Sequence, residues 1–447
     1  MALNFIDILY GSISFPAGEE ESFVRELIST PEVQRLRFLR LLNHDAPFMQ
    51  EVATSRRFAH SIGTCFASFR LLQGAPSLSL QQRKQILAAA LIHDIGVLPY
   101  GHLIERELAR LDSSFSHEFL VRSILWGTYH PTNIYHQILH DASLKVAEVL
   151  RRSDVDPEEV FNLICPRPGV VSPIAGPIDL DNIDNIHRMA ALMGRVGARK
   201  NVRCLLDLLT VDNNMHLAFE PRAIEHVRRW IKYRQMIYTH MIGHPSCVAY
   251  NAFLQDLARK AVELGVIHRD NWYLNDIDLE SRLLTTPDVA NLSGQLRTGC
   301  RYRLLDYVWV RLDPESSTLA SPIGEEKLLA ALGPPPVRRA EYRAWVERDR
   351  ISRQVSLQLQ GQTAPVTIGR SSTVVLIALI DPGVVANEDY RAFERSDRVH
   401  WRLVVEREAR NVLSGRALTF CYPEDFPFYV GGERFGPRQL GLFQTAT

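Results

Sequence analysis

The chain has 447 residues, enough for one large domain with a smaller companion or for two to three domains, and its 46% hydrophobic and 23% charged composition is that of an ordinary globular protein. Lysine plus arginine (51) equal aspartate plus glutamate (51), which argues against a polynucleotide binder working through its whole surface; any nucleic-acid contact must be local, and a small anionic substrate in one pocket suits the balance better. The six cysteines, at 65, 165, 204, 247, 300 and 421, include no CxxC pair, which argues against a zinc ribbon or a disulfide framework and fits a reducing compartment.

Met1-Ala2-Leu3-Asn4-Phe5-Ile6-Asp7 lacks a basic region followed by an apolar core, so no secretion signal is expected. From about residue 20 to 290 the chain reads as predominantly helical. Ser79-Leu80-Gln81-Gln82 has the form of a capping box, and the run from Ile86 to Ile92 predicts a buried helix that stops at Gly96 and Pro99. His93 and Asp94 then fall on the last turn of a core helix, where two buried polar side chains require a reason. A second helix is expected from near Gly101 through Leu103, Ile104, Leu108 and Leu111, with amphipathic helices at 141–152, 157–164, 181–193, 221–242 and 247–265. Pro166, Pro168, Pro173 and Pro177 make 165–178 an extended connector that delivers Asp179 and Asp181 to the next helix, and Cys165 within it reads as a structural thiol.

Composition changes after about residue 295. Gly333-Pro334-Pro335-Pro336 is the clearest linker, and the runs Val355 to Leu359, Val366 to Ile368, Val374 to Ile380 and Trp401 to Val405 predict strands. The expected fold is mainly α: a helical domain over 1–294 followed by a smaller α+β region over 295–447. The longest apolar stretch, Val374 to Ile380, is too short to span a bilayer, so a soluble, cytoplasmic protein without membrane partners is expected.

Arg57-Phe58-Ala59-His60, His93-Asp94 and Asp179-Leu180-Asp181 read together as one metal site. Imidazoles mixed with carboxylates suit a borderline-to-hard divalent ion such as Mn, Fe, Mg, Zn or Co, and such a site in a helical body commonly activates water against a phosphoester. The dipeptide His-Asp occurs at 44–45, 93–94 and 140–141. The first copy lies in a polar turn. The last has His136 one helical turn earlier, the spacing of a second metal pair at i, i+4 but more commonly that of an exposed polar face, and only the 93–94 copy has apolar surroundings.

Ile6-Asp7-Ile8-Leu9-Tyr10-Gly11, Ser29-Thr30-Pro31-Glu32-Val33-Gln34-Arg35-Leu36-Arg37, Arg57 to Gly63, His93-Asp94-Ile95-Gly96, Gly101-His102, Ser116-His117-Glu118 and Gly176 to Asp181 follow in order over residues 5 to about 260. In that order and rough spacing they resemble the HD-domain phosphohydrolases, in the branch holding dGTP triphosphohydrolases and the animal SAM-and-HD-domain dNTP triphosphohydrolases. The resemblance implies His60, His93, Asp94 and Asp181 as ligands of one divalent metal, with Asp179 as a helix cap. It implies Arg57 as a bidentate phosphate donor. His102 would attack or protonate at the scissile phosphate, His117 would assist as a cationic donor or acid, and Glu105 would orient a histidine. A nucleotide substrate and a homo-oligomer are implied as well.

Departures from the pattern fall on the sugar-reading side. Val97 stands where the family often has another histidine. Asn185 and Met189 replace the tyrosine and aspartate that pack and read the sugar, and Leu41-Leu42 occupy a usually polar position, which weakens discrimination by hydrogen bonding. Asn185 and Tyr238, the latter in Tyr238-Thr239-His240, are the remaining candidates for substrate contact, while Trp230 falls where an arginine is expected. Three readings follow: a dNTP triphosphohydrolase; an HD hydrolase of a nucleoside monophosphate, modified nucleotide or single-stranded nucleic-acid end; or a nucleotide-binding assembly subunit with weak turnover.

Overall fold

Ser79 opens the clearest helix of the chain. Its hydroxyl accepts from the Gln82 N–H (3.2 Å) while the Gln82 side chain accepts from the Ser79 N–H (2.9 Å), so two of the donors left over at a helix start are satisfied reciprocally. Helix Leu80–Ile92 follows, and all seven residues from Ile86 to Ile92 are buried. In this computed structural model the described residues are 2–42, 46–75, 77–128, 145–167, 170, 172–212, 215–312, 322–362, 364–383, 393–413, 417–425, 428–430 and 433–435. The pairs His44-Asp45 and His140-Asp141, with His136, lie outside them.

The fold is mainly α with a small α+β region. Helices His102–Leu111, Pro157–Ile164, Leu180–Leu192, Ala223–Gly243 and Pro245–Glu263 form within two residues of the expected spans, whereas the one expected at 141–152 starts at Val146, after the extended Lys145, and ends at Arg152. Among the described residues no helix is long and apolar enough to cross a membrane.

Two compact units divide the chain. The first comprises Met1–Tyr233, Leu257–Gly294 and Val355–Ile368. In it helix Arg57–Gln73 packs against both Leu80–Ile92 and Leu180–Leu192. Gly63 permits the second approach, because a Cβ there would overlap the Asp184 carboxylate and the Arg188 guanidinium. The hairpin of strands Val355–Leu357 and Val366–Ile368 belongs to this unit through Phe219, whose N–H donates to Gln358 O and whose carbonyl accepts from Gln360 N, both at 2.9 Å.

The second unit comprises Arg234–Asp256, Gln295–Gln354 and Gly369–Thr447. Its antiparallel sheet runs in the order Leu418–Cys421, Arg303–Leu312, Thr373–Asp381, Glu341–Arg348. Alternation along the two central strands fills both faces. Tyr307, Trp309, Leu376 and Ala378 meet Ile242, Val248 and Ala252 on one side, while Val308, Val310, Val375 and Ile377 meet Trp401, Val405 and Ala409 on the other.

Trp401 to Val405 is not the strand expected of it but the middle of helix Arg395–Val412. Five residues rich in Trp, Leu and Val fit either period; the decision comes from Ala409, which extends the buried stripe 401, 405, 409 at helical spacing, and from the charged residues between. A strand would bury Leu403 with its neighbours two away, yet Leu403 is 61% exposed. Trp401→Ala should therefore lower stability by roughly 3–5 kcal/mol while Leu403→Ala stays within about 0.5 kcal/mol, measured by denaturant unfolding.

Candidate metal centre

Two imidazoles are aimed at one point by the groups behind them. His60, in the first turn of helix Arg57–Gln73, is buried and has its Nδ1 2.7 Å from Asp184 Oδ1. His93, the residue that ends helix Leu80–Ile92, has its Nδ1 2.9 Å from the Ala90 carbonyl. With each Nδ1 donating, the Nε2 lone pairs face inward. The two Nε2 atoms are 3.2 Å apart, and Asp181 Oδ1 lies 2.9 Å from the first and 3.7 Å from the second. Donors bound at about 2.0–2.2 Å to a common ion sit roughly 3–3.5 Å from one another, so the set fits a divalent cation. Among the described residues His60, His93 and Asp181 are one of two groups that could hold one, the other being His102, Glu105 and His117.

Asp94 stands beside this group. Its Oδ2 is 3.6 Å from His93 Nε2 and accepts from Arg57 Nη1 at 2.6 Å. Burial opposes its charge, but the Arg57 guanidinium, with His93 and His60, holds the carboxyl far below the usual range. Burial likewise opposes charge on His60, and the Asp181 and Asp184 carboxylates outweigh it, pushing the imidazole up to about 10. Asp179 caps helix Leu180–Leu192, accepting from Asn182 N and Gly176 N (2.7 Å each), and burial followed by Asp181 raises it to about 7.

Behind His60 lies a relay that the motifs left out. Arg188 is fully buried; its Nε and Nη2 donate to Asp184 (2.8 and 3.0 Å) and its Nη1 to Asp7 (2.7 Å). Asp184 is thereby held down to about 2 against the effect of burial. The signal in the sequence is an acid and a base four apart, Asp184 and Arg188, on the helix that carries Asp181.

A second cluster gathers around Glu105. Its Oε2 is 2.7 Å from His102 Nδ1, and its Oε1 takes both His117 Nδ1 (2.9 Å) and the His117 backbone N–H (3.0 Å). Burial opposes its charge, but the two histidines hold it well below the ordinary value. His117, which burial alone would lower, is raised by that carboxylate. Both rings thus turn Nε2 outward, 5.4 Å apart between centroids. Gly96 lets the 93–96 turn lie against the helix of His117, where a Cβ would come within 2.5 Å of the His117 carbonyl.

The remaining candidates separate. Asn185 is one turn beyond Asp181, with its Oδ1 buried and lacking a hydrogen-bond partner. Val97, Leu41, Leu42 and Met189 are buried. Tyr238 belongs to the second unit, where its ring lies 4.6 Å from the Arg234 guanidinium carbon.

No family model matches the chain. An uncharacterized Bacillus subtilis protein, YwfO, is 25% identical over 248 residues, 55% of this chain and 53% of that protein. The deoxynucleoside triphosphate triphosphohydrolase SAMHD1 homolog of Dictyostelium discoideum is 23% identical over 251 residues, 53% of this chain and 46% of that protein. The chain thus matches about half the length of each of these two. Among solved structures, a hypothetical protein from Aquifex aeolicus shares the fold, with a TM-score of 0.54 at 18% identity over 91% of this chain and 99% of the other. The homology is weak and supports an HD-type superfamily relationship at low identity.

Elemental analysis of the purified protein should find close to one divalent ion per chain, and less than about a tenth of that in Asp181→Ala. Gly63→Ala should destabilise the fold by about 1–3 kcal/mol and lower the metal content, because the added methyl displaces Asp184 from His60.

Proposed function

We propose that the chain is a metal-dependent HD-type phosphohydrolase acting on nucleotides, with a dNTP as substrate and deoxynucleoside plus triphosphate as products. The convergence of His60 Nε2, His93 Nε2 and Asp181 Oδ1 beside the Arg57–Asp94 pair carries this reading. Residues 1–294 would form the hydrolase domain and 295–447 a region of separate role, and the family resemblance supports a homo-oligomer.

His60, His93, Asp94 and Asp181 would hold the ion, which as Mn, Fe, Mg, Zn or Co supplies Lewis acidity at a phosphate oxygen and lowers the pKa of water. Arg57 would hold Asp94 through Nη1 and turn its remaining N–H groups to the phosphate. Hydrolysis adds water to a phosphorus and breaks its bond to the nucleoside 5′-oxygen, which must gain a proton as it leaves. His102 and His117, each with Nδ1 on Glu105, suit that work: one neutral ring takes the proton of the attacking water, or attacks the phosphorus itself to give a phosphohistidine that water then cleaves, and the other, protonated, delivers a proton to the departing 5′-oxygen.

A second reading is favoured by Asn185 and its neighbours. Its buried Oδ1 is an acceptor awaiting a donor, while Leu41, Leu42, Val97 and Met189 offer nothing that hydrogen-bonds a sugar. These positions fit a nucleoside monophosphate, a modified nucleotide or a nucleic-acid end as substrate, or a nucleotide-binding subunit with weak turnover.

A nucleotide panel under each metal, with products resolved by chromatography, separates these readings by release of triphosphate, of phosphate or of nothing. Asp94→Ala should cut turnover by about 1,000-fold, and unchanged turnover in that variant ends the hydrolytic reading. Glu105→Gln should cost about 10–100-fold in kcat. Removing the charge that raises His117 lowers its pKa, so the alkaline limb of log kcat against pH should move toward acid.

A further inference from the structure

Tyr100 and Gly101, the two residues before His102, both stand at positive φ, 57° and 49°. For glycine this is ordinary. For tyrosine it sets Cβ against the backbone, and such a conformation persists only where the surroundings over-determine it.

The surroundings here are two acids far along the chain. The Tyr100 N–H donates to Asp276 Oδ1 (3.0 Å) and the Tyr100 hydroxyl to Glu280 Oε1 (3.0 Å), both acids lying on helix Asp276–Thr285. The same two acids hold a second segment. Asp276 Oδ2 accepts the Arg40 N–H at 2.7 Å, Glu280 Oε1 accepts Arg40 Nη2 at 2.7 Å, and the Arg40 guanidinium carbon lies 5.3 Å from the Tyr100 ring centroid. Arg40 pairs across an antiparallel bridge with Arg56, directly before Arg57, whose own N–H donates to Leu39 O at 3.0 Å. Asp276 is 2% exposed, so each of its oxygens is committed to one backbone donor. An amide could serve one of those donors and would turn a second donor on the other.

We infer that Asp276 is a positioning residue: its buried carboxylate clamps the left-handed Tyr100–Gly101 turn against the Arg40–Arg56 bridge and so sets where His102 stands relative to Arg57. Its bearing on turnover rests on the function proposed above; the clamp itself does not. Asp276 lies beyond residues 5 to about 260, where the sequence motifs end, and its carboxylate bonds the Arg40 and Tyr100 backbone rather than the candidate metal ligands or the Glu105 cluster.

The test is the isosteric variant Asp276→Asn, followed by hydrogen exchange and kinetics. Amides in peptides spanning 98–101 and 39–41 should exchange at least about 10-fold faster while those of 86–92 keep their wild-type rates. Metal content should be unchanged, and kcat should fall about 10–100-fold with KM within about threefold. Tyr100→Gly, added to Asp276→Asn, should recover about 10-fold of the lost kcat, since glycine adopts the turn without a clamp. If Asp276→Asn fails to fold, Glu280→Ala at the partly exposed edge should loosen the same two segments to a smaller degree. Unchanged exchange at both segments, uniform acceleration throughout the unit, or a kcat loss that Tyr100→Gly leaves intact overturns the inference. Should the wild-type protein turn over no nucleotide, the hydrolytic reading fails alone, and the exchange measurements still decide the clamp.

Discussion

A charged guanidinium cannot sit in an apolar core without carboxylates around it, and Arg188 is the point from which much of the first unit is organised. Fully buried, it holds Asp184 with two nitrogens and Asp7 with the third. Asp184 in turn holds His60 by Nδ1, which leaves Nε2 to face His93 and Asp181. Removing any member would strand a buried charge, so the network defends the geometry of the candidate centre more strongly than it adds stability. Gly63 belongs to the same constraint, because helix Arg57–Gln73 must come close enough for a ring nitrogen to reach the carboxylate.

Around that hub, backbone segments are held by side chains from elsewhere in the unit. Arg35, buried and 5.7 Å from the Trp272 ring centroid, donates to the carbonyls of Ile95 and Val97, fastening the loop that leaves the His93-Asp94 turn. Glu105 fastens His117 by ring and backbone together. In both cases a single polar side chain satisfies loop groups that no helix or sheet ladder could serve.

Local signals carried much of this into the sequence. The Ser79 and Gln82 pair announces a helix start within four residues, and His93-Asp94 stands out because seven apolar residues precede it. Trp401 to Val405 reads as a strand because five residues are too few to tell a period of two from one of 3.6. Asp184 flanks the candidate ligand Asp181 in sequence, but its buried pairing with Arg188 leaves no mark there: an acid and a base four apart usually decorate an exposed helix, and only tertiary packing buries them. Asp276 has no local signature at all. A carboxylate that accepts backbone N–H groups more than 170 residues away leaves no pattern in its own neighbourhood, and a tyrosine at positive φ is indistinguishable in sequence from any other.

The hairpin that reaches Phe219 makes the first unit discontinuous, with consequences for biosynthesis. Its partner residues, Gln358 and Gln360, leave the ribosome some 140 residues after Phe219, a delay of roughly 7–28 s at typical elongation rates. Throughout that interval the short strand Leu217–Phe219 has no hairpin on the edge away from Leu209–Val211. Completion of this unit therefore lags well behind the formation of its helices.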